Sequence, residues 1–351
     1  MITKVAVRGF RCYDTEKMHA LPLTEETVVM GPNNSGKSAL LSVVDFYRSS
    51  LWDYPGFRPV YSNDIISWMT PDTFAYRQTD IEAIRFEIGF RSMGDMTLVV
   101  SLEGGRWGLT VPPEEADMIH EKEIQEAIRS IWHLRPVRPE LPPSQVVGVG
   151  RSQFQPLRPD GGNVIEYLLE QWTSRNPLWD EAERWLRRID PHMDLLSVPL
   201  RGNQASIETV RSYGNKQEAE ARVNLAHQGT GMQSVSSVVA ALVFSIPGSI
   251  IIIEEPEAYL HPRSQEVIVD LMNKAVNEWK KQVIVSTHSW DMILPFISDI
   301  GTGTQRGTQH VKADPEKFSL VMIDDEHSIK AYDLRGKTFK EVRDRTKTLW
   351  G

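Results

Sequence analysis

Apolar residues near the start of the chain come in strand-like groups. Ile2, Val5 and Val7 precede Phe10-Arg11, and Thr27-Val28-Val29-Met30 is a short apolar run ending in Gly31-Pro32. A run bounded this way predicts a buried strand feeding a loop. From Ser38 to Arg48 the period changes, and Leu40, Leu41, Val44, Phe46 and Tyr47 supply one face of a predicted helix. Ile84, Phe86, Ile88 and Phe90 then alternate with polar residues, as in a half-buried strand. Thr97–Leu102 and Trp107–Val111 flank Glu103-Gly104-Gly105-Arg106, a hairpin signal with glycines free to take positive φ. An antiparallel meander is therefore expected after the first helix.

A different pattern begins near Pro112. Glu114–Trp132 reads as helix, and Asn163–Ile189 reads as helix again, with Trp172, Trp179 and Trp185 expected in its core. Between them, residues 135–159 carry six prolines and the arginines Arg135, Arg138, Arg151 and Arg158. Proline lacks the amide proton and clashes with the preceding turn, so this stretch is not regular helix. The last third returns to alternating elements: helix Met232–Phe244, strand Ser249–Ile253, helix Pro262–Asn277 and strand Gln282–Ser286. That order predicts parallel βα units. Phe318–Ile323 and Ser328–Asp333 are expected to form a closing hairpin around an acidic turn, Asp324-Asp325-Glu326. The expected plan is α/β, with an N-terminal half over 1–112, an inserted helical lobe over 113–200 and a C-terminal half over 201–351.

Composition narrows the class. The 351 residues are 40% hydrophobic and 25% charged, a balance of ordinary globular chains. The net charge of −8 argues against a uniformly basic nucleic-acid coat, yet leaves room for a local basic groove. The single cysteine, Cys12, excludes a disulfide framework within one chain and is expected as a small buried side chain. The N-terminus lacks a signal-peptide pattern, and the longest apolar stretch, Val238–Ile253, is interrupted at Ser245–Ser249. No membrane span and a cytoplasmic location are expected.

Four motifs carry chemistry. Gly31-Pro32-Asn33-Asn34-Ser35-Gly36-Lys37-Ser38 fits G-x-x-x-x-G-K-[ST] in a strand–loop–helix context. Glycines let consecutive amides turn around an anion, Lys37 reaches β and γ phosphates, and the Ser38 hydroxyl suits Mg²⁺. Ser249–Ile253 leads into Glu254-Glu255-Pro256-Glu257. Such a strand is expected beside the phosphate-loop strand, with Glu254 at the metal and Glu255 placed to activate water. Gln282–Ser286 ends at Thr287-His288, where a histidine can hydrogen-bond a γ-phosphate. Finally, His227-Gln228-Gly229-Thr230-Gly231-Met232-Gln233 opens a helix, a second anion-binding arrangement. One nucleotide needs one phosphate loop, so this second loop is read as facing the nucleotide of another subunit.

With these four elements in this order, the chain resembles ATPases of the ATP-binding-cassette (ABC) type. Within them it is similar to the non-transporter branch: RecF, the SMC heads and especially the overcoming-lysogenisation-defect (OLD-like) ATPases. The opening Ile2–Arg11, the phosphate loop, Glu254-Glu255-Pro256-Glu257-Ala258-Tyr259-Leu260-His261-Pro262 and Ser286-Thr287-His288-Ser289 carry the likeness. It covers about residues 1–60 and 220–300. It implies a P-loop head that binds ATP and Mg²⁺, with Arg11 a further nucleotide contact. Gly229, Gly231 and Gln233 would meet ATP across a head-to-tail pair. Gly229 stands at the signature serine position, Glu254 replaces the usual aspartate, and Gln153 or Gln155 would have to serve as the Q-loop glutamine. About 60 residues follow the His288 strand, which leaves no expected Toprim domain, and the gap between the halves holds no sustained heptads.

The expected function is thus a Mg²⁺-dependent ATPase whose paired heads open on hydrolysis. Its expected setting is DNA repair or anti-phage defence, with a separate effector nuclease or toxin. DNA contacts would use 135–159 or 330–347, the latter with seven Lys/Arg against three Asp/Glu. An ATP-gated scaffold that holds an effector without DNA is the alternative, and a transporter subunit a weaker one.

Overall fold

Parallel pairing at the centre of the main sheet decides the rest of the architecture. A computed structural model describes residues 1–50, 84–92, 94–103, 106–110, 112, 115, 122–135, 145–146, 157–193, 195–201, 204–211, 221–293 and 317–332. Strands and helices are numbered along the chain. The N-terminal strands are β1 (Ile2–Arg8), β2 (His19–Pro22) and β3 (Glu26–Met30). Next come helices α1 (Lys37–Leu41) and α2 (Val43–Ser50), then strands β4 (Arg85–Phe90), β5 (Gly94–Glu103) and β6 (Arg106–Thr110). Helix α3 (Lys122–Arg129) precedes β7 (Ile131–Leu134). Helices α4 (Val164–Thr173) and α5 (Trp179–Ile189) follow, after the two-residue strand β8 (Gln145–Val146). Five short strands, β9 (Leu195–Ser197) to β13 (Ala221–Asn224), lead to α6 (Thr230–Phe244). The chain then runs through β14 (Ile250–Glu254), α7 (Pro262–Asn277), β15 (Gln282–Thr287), β16 (Phe318–Ile323) and β17 (Ile329–Tyr332).

The main sheet has the order β17-β16-β3-β15-β14-β7. Its neighbours are parallel from β16 to β7, and β17 closes it as an antiparallel edge. Because both faces are covered, its strands read as nearly continuous apolar runs. The period of two is still visible in where they go. Val28, Met30, Ile251, Ile253, Val283 and Val285 join α4 to α7 in one core. Val29, Ile250, Ile252, Ile284, Val321 and Ile323 join α1, α2 and the antiparallel sheet β2-β1-β4-β5-β6 in the other.

The meander, the closing hairpin and the helix–turn–strand path through Val238–Ile253 match the expectation. Four expectations are corrected. The predicted helix Glu114–Trp132 ends at Arg129, and Ile131–Leu134 is a strand because it pairs in register with Ile250–Ile253. Tertiary pairing overrides local helix propensity there. The helix predicted over Asn163–Ile189 breaks into two before Pro177, where the Asn176 side chain accepts from the Leu178 amide at 2.9 Å. Of its tryptophans, Trp185 is core, Trp179 is partly buried and Trp172 is exposed. Cys12 is half-buried rather than buried.

Lys281 shows how one end of the main sheet is sealed. Its ammonium donates to the Leu242 and Val243 carbonyls at 2.6 and 3.2 Å, satisfying the free end of α6. Burial pushes its pKa down to about 7. The unfolded chain keeps that proton up to about pH 10.4, so stability contributed through Lys281 rises as pH climbs from 7 toward 10. Wild type compared with Lys281→Met in urea should gain up to about 1 kcal/mol per pH unit over that range. A pH-independent difference would contradict the buried, shifted ammonium.

Candidate active site

The phosphate loop lies where β3 ends at the edge of α1. Asn34 (φ 64°) and Gly36 (φ 98°) take left-handed backbone there. A Cβ on Gly36 would sit 2.5 Å from the Tyr13 hydroxyl and 2.8 Å from Cys12 Sγ, so glycine is required by space as well as by φ. A Cβ on Gly31 would clash with the Ile323 carbonyl. The loop is thus pressed between the end of β16 and the β1–β2 connection. Ser35 is buried with its hydroxyl unpartnered, while Asn33 and Asn34 are exposed. His327, from the β16–β17 turn, hydrogen-bonds the Ser35 carbonyl at 3.0 Å.

Lys37 folds into the loop. Its ammonium donates to the Gly31 and Pro32 carbonyls, both at 2.7 Å, and lies 3.4 Å from His288 Nδ1. Burial lowers its pKa to about 8, with Glu255, Glu257 and Glu254 acting in the opposite direction.

Glu254, Glu255 and Glu257 diverge at the end of β14. Glu254 is buried and accepts a hydrogen bond from the Ser38 hydroxyl. Two hard oxygen donors meeting in this way fit Mg²⁺, with phosphate oxygens and water completing its shell. Glu255 takes a left-handed φ of 50°, which turns its carboxylate out to His288 Nε2 at 2.6 Å. His288 Nδ1 is 3.0 Å from the Gly31 carbonyl. Glu257 holds the end of β15 by accepting from Thr287 Oγ1 at 2.5 Å and the His288 amide at 2.9 Å. The structure therefore gathers Gly31, Lys37, Ser38, Glu254, Glu255 and His288 at the ends of three strands.

One expected detail is corrected. The Glu254 strand does not lie beside β3; β15 stands between them, parallel to both. That insertion is what brings His288 between Lys37 and Glu255.

The largest feature that sequence reasoning missed stands behind Glu254. His133, fully buried on β7, bridges Asp45 Oδ2 at 2.8 Å and Glu254 Oε1 at 2.9 Å. Arg135 bridges the same two oxygens through Nη2 at 3.0 Å and Nε at 2.7 Å. Carboxylates only accept, so a ring facing two of them donates from both nitrogens and is charged. Burial alone would lower the His133 pKa, but Asp45 and then Glu254 outweigh it and hold it above the ordinary value. Burial alone would raise Glu254, but His133, Arg135 and the Ser38 hydroxyl bring it to about 2. One signal was available: a histidine inside the apolar run Ile131-Trp132-His133-Leu134 needs a buried partner.

Arg11 (φ 53°) lies near enough to Arg135 and Glu254 to feel both charges, and its guanidinium sits 5.2 Å from the Phe10 ring centroid. The Gly229 loop makes local bonds. Gly229 caps α6 with open space around it, and Gln233 is buried, its amide donating to the Ala226 and Gln228 carbonyls at 2.8 and 3.0 Å. Gln233 thus shapes the loop from within. A Cβ on Gly231 would lie 2.6 Å from the Tyr259 carbonyl, which ties the loop to the turn after Glu257. Gln153 and Gln155 lie outside the described residues, as do Arg138 and Arg151 and, in the basic tail, 333–347. Of the cations expected at DNA, Arg135 pairs with Glu254 and Asp45, Arg158 with Asp160, and Lys330 with Asp324. No helix among the described residues is long and apolar enough to cross a membrane.

Comparison with known proteins agrees with this geometry. A family model for an AAA ATPase domain matches residues 174–293. The chain is 23% identical over 330 residues to an OLD nuclease of Thermus scotoductus, covering 86% of this chain and 60% of that protein. A shorter segment of 70 residues is 38% identical to the energy-coupling factor transporter ATP-binding protein EcfA of Carboxydothermus hydrogenoformans, covering 20% of this chain and 25% of that one. Among solved structures, an SMC head bound to the C-terminal winged-helix domain of ScpA superposes with a TM-score of 0.55 at 13% identity, covering 95% of this chain and 98% of that one. A Pyrococcus furiosus SMC head with an extended coiled coil, bound to the C-terminal domain of ScpA, gives 0.53 at 12% identity, covering 100% of this chain and 99% of that one. The chain spans about three fifths of the length of the OLD nuclease. In fold and in the layout of its site, the chain is similar to ABC-type P-loop ATPases of the OLD/SMC type.

Proposed function

We propose that the chain hydrolyses ATP with Mg²⁺ and that two copies pair around the nucleotide. The observation that carries this reading is the convergence of Lys37, Ser38–Glu254 and Glu255–His288 on one loop mouth. In this reading the loop amides and Lys37 bind the β and γ phosphates, and Arg11 adds a cation. Ser38 and Glu254 hold Mg²⁺, which neutralises phosphate charge when bound. Glu255 accepts the proton of the attacking water, and His288 orients that carboxylate through Nε2 at Oε1. Gly229 and Gly231 supply amides to the partner copy's nucleotide, and Gln233 keeps their loop in shape. Hydrolysis removes the bridging phosphate, so the pair loosens.

We further infer a domain plan in which α4 and α5 are inserted between the halves in sequence but pack into the core of the head, with β7 part of its main sheet. The pair is proposed to control a separate effector in defence or repair, and likeness to an OLD nuclease supports a nuclease as that effector. Phosphate release from ATP tests the reaction. Wild type should turn over with Mg²⁺ and stop when the metal is chelated, and Lys37→Ala should be inactive. Equal release by wild type and Lys37→Ala would overturn the assignment.

A further inference from the structure

Glu254 is not waiting as a bare carboxylate. Its Oε1 accepts from His133 Nε2 and Arg135 Nε, and its Oε2 accepts from Ser38. Among the described residues, His133 and Arg135 are bridged to Asp45 and Glu254, and these four groups balance in charge without any metal. His133 is fully buried and braced from two sides, whereas the Arg135 side chain is about one third exposed (33%). A divalent cation held by Glu254 and Ser38 would meet the Arg135 charge on the same carboxylate. Like charges at such range repel unless one moves away.

We propose that Arg135 is the resident counter-ion of Glu254 and is exchanged for Mg²⁺ when nucleotide brings the metal in. His133 stays as the fixed positioning residue, holding Glu254 at Oε1 while Oε2 turns from Ser38 to the metal. Arg135 leaves on the exposed side, where Arg11 already feels its charge. The exchange makes metal binding conditional on nucleotide. The phosphates supply the negative charge that the neutral cluster lacks, and an empty head holds no metal of its own. This inference rests on the Mg²⁺-ATP reading above and adds a role for two residues that the reading leaves unused.

Titration with Mn²⁺ alone, without nucleotide, followed by electron paramagnetic resonance, tests it. Wild type should show only weak surface binding. Arg135→Gln removes the counter-ion and should bind Mn²⁺ roughly tenfold tighter or more. Arg135→Lys keeps the charge and should return to wild-type behaviour. Equal Mn²⁺ binding by wild type and a folded Arg135→Gln would overturn the exchange. A second reading uses wild type with ¹⁵N-labelled arginine, its Arg135 Nε–H signal assigned with the lysine variant. That signal should shift with Mg²⁺-ATP and stay with ATP in chelator. An Arg135 signal unmoved by Mg²⁺-ATP that does bind would also overturn the proposal. Failure to bind ATP at all would instead count against the ATPase reading, while the metal-only titration still decides the place of Arg135.

Discussion

Glu255→Gln should bind ATP with nearly wild-type affinity and release phosphate about a thousandfold more slowly, the usual scale for losing a positioned general base. The substitution is close to isosteric and leaves Lys37, Ser38 and Glu254 untouched. Glutamine can still hydrogen-bond His288, so the turn at Glu255 is kept. What disappears is a basic oxygen to take the proton of the attacking water. Because the γ-phosphate then survives, paired heads should accumulate with ATP and be seen by light scattering. Phosphate release at the wild-type rate would show that Glu255 is not the base. Slow release without pairing would leave the chemistry standing and remove the head-to-tail arrangement.

His133→Ala should cost the fold about 3–5 kcal/mol, measured as unfolding free energy in urea. The ring is fully buried, and both of its nitrogens hold carboxylates at 2.8 and 2.9 Å. Removing it leaves Asp45 and Glu254 buried with one cation fewer, Arg135 still bridging them. The same change made in an Asp45→Asn background should cost much less, because one of the stranded charges is gone. Additive losses, or a loss under about 1 kcal/mol, would mean that the cluster does not brace the head.

The parts of the site written in consecutive residues were legible in advance. The phosphate loop is eight adjacent positions, and Glu254-Glu255 follow directly from an apolar strand. Local spacing also defined the meander, α7 and the closing hairpin. What could not be read depends on contacts between distant segments. His133 meets residues 88 and 121 positions away, and no local pattern encodes such a meeting. Arg135 sits in a proline-rich stretch, so it read as one surface cation among several rather than as the partner of Glu254. The order of parallel strands is equally silent in sequence, because β3, β14 and β15 are each apolar runs of similar length that would fit any central place. The helix predicted through Trp132 failed for the same reason: the partner that makes Ile131–Leu134 a strand lies more than a hundred residues on.

All of these roles depend on whether the loop around Lys37 holds a nucleoside triphosphate. Calorimetry of ATP binding to wild type and to Lys37→Ala measures this directly. The Lys37 ammonium is tethered to two loop carbonyls at 2.7 Å, where a phosphate would replace them. Wild type should bind ATP, and the variant should lose about a hundredfold in affinity, near 2.8 kcal/mol. Indistinguishable ATP binding by the two proteins would contradict the account.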